Sequence, residues 1–381
     1  MSENKRRKKV KKRRSRNGFL ELINALLTLI VLGVLVVGGI LYFATQRYYA
    51  EGPMDEDKVF VVEQGIGLGT VATRLAAAEL ISDRWIFQFG AMLQRKQSAI
   101  RAGEYNIVAN ASMADIVKEI TEGQAISYSL TIPEGLTSWE AVQRINAAPN
   151  LTGEITEIPP EGSLLPNTYS FERGASRQAI IDRMRAAFEV KIAEIWATRA
   201  PDLPLESPQE MVILASIVEK ETGIGSERAG VAAVFINRMN IGMRLQSDPT
   251  IIYGITNGQG SLGRGLRRSE INEKTPYNTY QIDRLPPGPI ANPGIAAMEA
   301  VVNPSDIDAL FFVADGTGGH AFAKTYAEHQ VNVARWRAIE REREAAAAEA
   351  AKAEQQAQEQ AEAEAARDAL QAEQAQSAPP G

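Results

Sequence analysis

The chain has 381 residues, is 45% hydrophobic and 23% charged, carries a formal net charge of −6 and has no cysteine. That length suits two or three domains. Without cysteine there can be no disulfide framework, no thiol catalysis and no cysteine-built zinc site. The charge is uneven: residues 1–17 hold ten Lys/Arg and one acid, so everything beyond them is acidic.

The basic run, a predicted cytoplasmic tail over 1–24, leads into Ala25–Ala44, twenty residues without a charge. At a rise of about 1.5 Å per residue this segment spans the hydrocarbon core of a bilayer, about 30 Å. It is too long for a signal-peptide core, and the sequence after it is a poor cleavage site. A retained single-pass anchor is predicted, and a nucleic-acid role for the basic run is set aside. Tyr42, Tyr48 and Tyr49 suit an interfacial aromatic belt. The positive-inside rule places the N-terminus in the cytoplasm and the rest of the chain outside, on the inner membrane of a bacterial envelope.

A polar stem over 50–57 precedes a predicted α+β module over 58–124. In it Lys58–Gly65 reads as a strand closed by glycine, and Gly69–Ile81 has helical spacing. Ser82 is placed to cap a second helix, Ile100–Val108 reads as a strand, and Ser112–Gly123 as a capped helix. A connecting α+β region over 125–207 faintly echoes the strand, turn and helix of the module. It contains the loop Glu161–Phe171 and a long amphipathic helix from Ser176 to Ala200.

Residues 208–338 form the predicted catalytic domain. On a helical wheel Met211, Leu214, Ala215 and Val218 make one apolar stripe, with Glu219 on one flank, Glu221 on the other and Lys220 behind. Residues two apart on a helix diverge, so these acids cannot share a pocket. Whether either is more than a helix-flank acid is not decided by periodicity. Val231, Val234, Phe235, Arg238 and Met239 continue as a second helix packed on the first. The chain then turns at Asp248–Pro249, where Gln246, Asp248 and Thr250 suit a loop lining a cleft.

Thr275–Gly294 packs five prolines, two tyrosines and two asparagines into a loop of fixed, irregular backbone. Phe311–Phe322 reads as a buried strand and a Gly-rich turn ending at His320. The turn lacks the spacing of a phosphate-binding loop, and the two histidines, His320 and His329, fit no metalloprotease pattern. No nucleophile elbow is present. Carboxylate chemistry in a polar, aromatic cleft is what remains, with no metal and no cofactor. The Ala/Glu/Gln-rich tail over 339–381 is too poor in large apolar residues to build a core.

Several long stretches resemble the YceG-like family of endolytic murein transglycosylases, in the family's order. They are "ASIVEKET" (215–222), "VFINRMNIGMRLQSDPTIIYG" (234–254), "YNTYQIDRLPPGPIANPG" (277–294) and "FFVADGTGGHAFAKTYAEH" (311–329). "EGSLLPNTYSF" (161–171) resembles the family's E-G-x-x-x-P-[DN]-T-Y segment, and the module over 58–124 its LysM-like peptidoglycan-binding domain. The resemblance covers residues 20–338, including the anchor; the tail lies outside it.

The resemblance implies cleavage of the MurNAc-β-1,4-GlcNAc bond of nascent glycan strands without water, to leave 1,6-anhydromuramoyl ends and terminate elongation. It places the catalytic acid on Glu219, the first glutamate of the I-V-E-K-E-T motif, and gives Glu221 an orienting role. An apolar flank would keep that acid protonated near neutrality. Gln246, Tyr277, Asn278 and His320 are the candidate sugar contacts. Membrane-bound peptidoglycan synthases are the expected partners. Two rivals stand beside this reading. A muramidase would need a second acid, from Asp248, Asp283 or Asp315. A non-catalytic peptidoglycan-binding scaffold would be indifferent to Glu219→Gln.

Overall fold

The computed structural model describes residues 18–376; the basic run over 1–17 and the last five residues lie outside the described part. The first helix, α1 (Gly18–Tyr49), is long and apolar enough to cross a membrane. Its apolar window is exposed all round. A helix of a soluble core would instead bury at least one stripe, so membrane anchoring fits.

The chain divides into two compact units. One runs to Tyr128 and takes in Phe171–Gly174; the other comprises Ser129–Ser170 and the chain from Ala175 onward. The region expected to connect two domains over 125–207 therefore falls mostly inside the second unit.

In the first unit β1 (Lys58–Val62), α2 (Leu68–Ala77), α3 (Arg84–Leu93), β2 (Gly103–Ile107) and α4 (Met113–Glu122) follow in chain order. β1 and β2 pair antiparallel, Lys58 opposite Ile107 and Val62 opposite Gly103. Val71, Leu75, Phe87, Tyr105, Ile116 and Ile120 are fully buried and make the core. Each large aliphatic or aromatic side chain so buried contributes about 1.5–3 kcal/mol. α4 starts at a capping box in which Ser112 and Asp115 exchange hydrogen bonds. α3 is capped by Asp83, which accepts from the Trp85 and Ile86 amides; the cap is one residue beyond Ser82. Tyr48 is not a belt residue. It is buried, and its ring lies where a side chain on Gly90 of α3 would have to go, which joins the end of α1 to the unit. Tyr42 and Tyr49 are exposed.

β3 (Ser127–Ile132) pairs with β4 (Asn167–Glu172) in a two-stranded sheet, and the division between units falls within both strands. In the second unit α5 (Ser138–Ala147) and α6 (Arg177–Ala197) precede the central α7 (Pro208–Glu221). Pro208 in the first turn and the Ser207 hydroxyl, which accepts from the Glu210 amide at 3.2 Å, start this helix. All eight residues from Met211 to Val218 are buried. The single stripe seen on the wheel thus becomes a helix enclosed on every side, wrapped by α6, α8 (Arg228–Asn240) and α11 (Ile295–Val302). α9 (Asp248–Thr256) and the short α10 (Arg268–Asn272) complete the helical part.

β5 (Phe311–Ala314) and β6 (His320–Ala323) form an antiparallel hairpin. Both strands are half-buried rather than buried, and His320 opens the second strand rather than closing a turn. α12 (Tyr326–Gln376) packs its first turns on the hairpin and continues as a helix that is exposed over residues 340–362.

Candidate active site

The last turn of α7 carries both acidic residues, and they point into different surroundings. The Glu219 side chain is only 7% exposed. Its Oε2 accepts from the Gly294 amide at 3.0 Å, and its Oε1 lies 3.5 Å from the Arg228 guanidinium. Arg228 also reaches Glu134, at 3.8 Å. Gly135 packs against this carboxyl: its backbone is left-handed (φ 77°), and a β-carbon there would come to 3.5 Å from the Glu219 Cγ. Lys220 donates to the Gly135 carbonyl at 3.2 Å. Burial pushes the Glu219 carboxyl above its ordinary value, the Gly294 hydrogen bond opposes that, and Glu134 adds to it.

Glu221 opens onto a cavity of about 330 Å³. Its Oε1 accepts from the Ser247 hydroxyl at 2.5 Å. Arg238, Gln246, Asp248, Tyr280 and His329 line the same space. Burial again holds the carboxyl above its ordinary range, the Ser247 hydrogen bond works against it, and the Asp248 charge reinforces it. Asp248 accepts from the Tyr280 hydroxyl at 2.7 Å. The buried Arg238 guanidinium is fixed by donating to the Leu310 and Leu245 carbonyls, and it lies over the Phe311 ring. His329 stacks on that ring at 5.1 Å. Burial, then Arg238, pushes its pKa down.

Of the residues expected from the sequence, Gln246 and Asp248 share this cavity with Glu221. The other expected sugar contacts are engaged within the protein, and of these His320 stays near the cavity, where it lowers the Glu221 pKa and packs on Phe312. Asn278 is fully buried. Its amide donates to the Glu270, Ile271 and Glu273 carbonyls and its Oδ1 accepts from the Tyr280 amide. With no surface left for a sugar, it braces its own loop. Tyr277 packs on the core, its ring centroid 4.9 Å from that of Tyr253. His320 is engaged by Glu227, which takes its Nδ1 at 2.8 Å and its backbone amide at 2.9 Å. Asp283 is strongly exposed and paired with Arg244, and Asp315 caps its own turn through Thr317. Among the described residues, no cluster of His, Asp and Glu could hold a metal ion.

Glu219, named by the resemblance, is held by the Gly294 amide and the Arg228 guanidinium. Glu221 is held by Ser247 and lines the cavity. Sequence reasoning also passed over Arg238, Tyr280 and His329. Arg238, a cation among buried apolar positions of α8, was the one signal available.

A profile of the YceG-like family matches residues 60–335, most of the chain. The chain belongs to the YceG-like family. Two Streptococcus pneumoniae proteins named "Endolytic murein transglycosylase" are each 30% identical to this YceG-like chain over 361 residues, covering 80% of it. The YceG-like chain spans 64% of the length of those relatives. A Bacillus subtilis protein of the same name is 25% identical over 350 residues, covering 81% of this chain and 93% of its own length. A solved YceG-like protein from Listeria monocytogenes is 28% identical and covers 72% of this chain and 98% of its own, with a TM-score of 0.45.

Proposed function

We propose that this YceG-like chain is a membrane-anchored endolytic transglycosylase with Glu221 as its acid. It cuts the MurNAc-β-1,4-GlcNAc bond inside nascent glycan strands and leaves 1,6-anhydromuramoyl ends. The observation that carries the reading is the Glu221 carboxyl, whose pKa burial raises and which lines a polar and aromatic cavity. The names of the relatives support the reaction class.

Protonated Glu221 donates its proton to the glycosidic oxygen as the bond to C1 breaks. The resulting carboxylate takes the proton from the muramoyl 6-hydroxyl as that oxygen closes on C1. One carboxyl group suffices because the nucleophile is internal, whereas hydrolysis calls for two. Ser247 fixes one carboxyl oxygen and leaves the other for the substrate. Asp248 serves twice: its charge raises the Glu221 pKa, and it stands in the cavity where positive charge develops on the sugar. Glu219 acts as a tie, joining the end of α7 to Gly294 and Arg228.

The first unit serves as a LysM-like peptidoglycan-binding module, a reading supported by its strand–helix–helix–strand order and paired strands. α1 holds the catalytic unit on the outer face of the inner membrane, where strands leave membrane-bound synthases. The test is mass spectrometry of the ends made from uncrosslinked glycan strands by the full-length chain in detergent. Anhydro ends are expected. Hydrated reducing ends would make the chain a muramidase with Asp248, the candidate acid that shares the cavity, as the second carboxylate. Intact strands would favour a binding scaffold.

A further inference from the structure

α3 is apolar on two sides. Phe87, Gly90 and Ala91 are buried in the first unit. Trp85, Phe89 and Met92 recur at helical spacing on another side, with Leu93 beside them, and these four are 46–73% exposed. So many large apolar side chains on one face of a ten-residue helix form a patch of the kind that marks a contact.

The patch borders α1. Tyr48 packs on Gly90, so the last turns of α1 lie against α3. Ala44, Thr45 and Tyr49 of α1 and Ile86, Phe89 and Leu93 of α3 line one groove. Ala44 ends the uncharged run of α1, and Arg47 follows it. α3 therefore meets α1 where a spanning helix leaves the hydrocarbon, and its exposed apolar side adjoins that of α1. The charge pattern agrees. Residues 84–103 hold four Lys/Arg and no acid, in a chain that is acidic beyond its first 17 residues. Lys96 is taken by Glu122. Arg84 lies over the Trp85 ring at 4.7 Å, at one end of the patch, and the exposed Arg95 follows the other end.

We infer that α3 is a membrane-surface helix. Its Trp85–Leu93 side dips into the outer leaflet of the bilayer that α1 spans and holds the first unit down on the lipid, so that the unit does not swing freely on its anchor. Aromatic and aliphatic side chains of such a helix enter the boundary between headgroups and acyl chains, while arginines at its edge meet anionic headgroups. The inference rests on α1 as the anchor, and not on the reaction proposed for the second unit. A glycan suits this face less well, because apart from Arg84 the segment 84–94 offers only the Gln88 and Gln94 amides as polar side chains, and sugar edges call for several placed polar groups.

The chain has no cysteine, so a single introduced cysteine carries a spin label at one known place. Full-length Met92→Cys, Ile30→Cys and Gln355→Cys chains are placed in nanodiscs of phosphatidylethanolamine and phosphatidylglycerol. Collisions with dissolved oxygen and with a water-soluble nickel chelate then give the depth of each label. Ile30 lies in the middle of α1, and Gln355 on the exposed part of α12. The label at 92 should sit about 5–10 Å into the boundary between headgroups and acyl chains, the label at 30 deeper, and the label at 355 in water. Tryptophan fluorescence of the unlabelled chain gives a second reading that no misfolded label can spoil. Brominated acyl chains should quench it, and Trp85→Phe should remove most of that quenching. A label at 92 as open to nickel as the label at 355, with quenching unchanged in Trp85→Phe, would overturn the proposal. So would shielding from both reagents with broadening between labels, which would give the face to a second copy of the chain. A label at 30 open to nickel would overturn the anchor and the proposal together. A chain that shows the expected depths but makes no anhydro ends would overturn the proposed reaction alone.

Discussion

The surroundings of Glu219 and Glu221 can be compared almost atom for atom, because one turn of one helix carries both. In each, burial is the main force raising the carboxyl pKa. They differ in what lies beyond the carboxyl. Glu219 meets the Gly294 amide and Arg228, which use its oxygens. Glu221 meets Ser247 on one oxygen and a cavity beyond. A raised pKa marks a desolvated acid; only access to a substrate makes it a catalytic one.

The comparison sharpens into a series of expected outcomes. The largest effect belongs to Glu221→Gln, which should lower the rate of anhydro-end formation by about 10²–10⁴-fold, the usual worth of a general acid. Next is Arg228→Met, which leaves Glu219 buried without its cation. It should cost about 3 kcal/mol of stability, read as a lower denaturant midpoint. Asn278→Ala should cost about 2 kcal/mol by leaving three carbonyls and an amide short of partners. The Michaelis constant of that folded variant should stay near the parent value, since Asn278 touches no sugar.

The smallest effects are those of pH. Activity needs protonated Glu221, so the rate should fall as pH rises through its raised pKa. Asp248→Asn removes a charge that holds this pKa up, so its falling limb should lie at lower pH than the parent's. Stability follows the same sign. The folded pKa values of Glu161, Glu219 and Glu221 all lie above those of the unfolded chain. Their contribution is therefore full below the unfolded value of about 4.3 and is lost as pH rises through the folded values. Glu221→Gln should thus lose less stability than the parent between about pH 4 and about pH 8. Melting curves at the two ends would read the difference.

Much of the scaffold was legible because its signals are local. The uncharged run over 25–44, the capping box at Ser112 and the helix beginning after Ser176 each announce themselves within a few residues, and α1, α4 and α6 follow. The site was less legible because its decisive facts are long-range. On the wheel Glu219 and Glu221 are equivalent flanks of one stripe. What separates them are Gly294 and Ser247, tens of residues away in sequence. Asn278 misled for the same reason: an amide among tyrosines and prolines looks fit for sugar hydroxyls until its carbonyl partners are in place. Tyr48 looked interfacial because nothing near it in sequence reveals that it packs on Gly90.

The most direct measurement runs Glu221→Gln and Glu219→Gln side by side in the full-length chain. Both should be shown to be folded, and both counted for anhydro ends on the same strands. Glutamine at position 219 still accepts from the Gly294 amide, so that variant should keep activity within about tenfold of the parent, while glutamine at 221 should lower it by about 10²–10⁴-fold. Activity lost in Glu219→Gln and kept in Glu221→Gln would contradict the account and return the acid to the first glutamate of the motif.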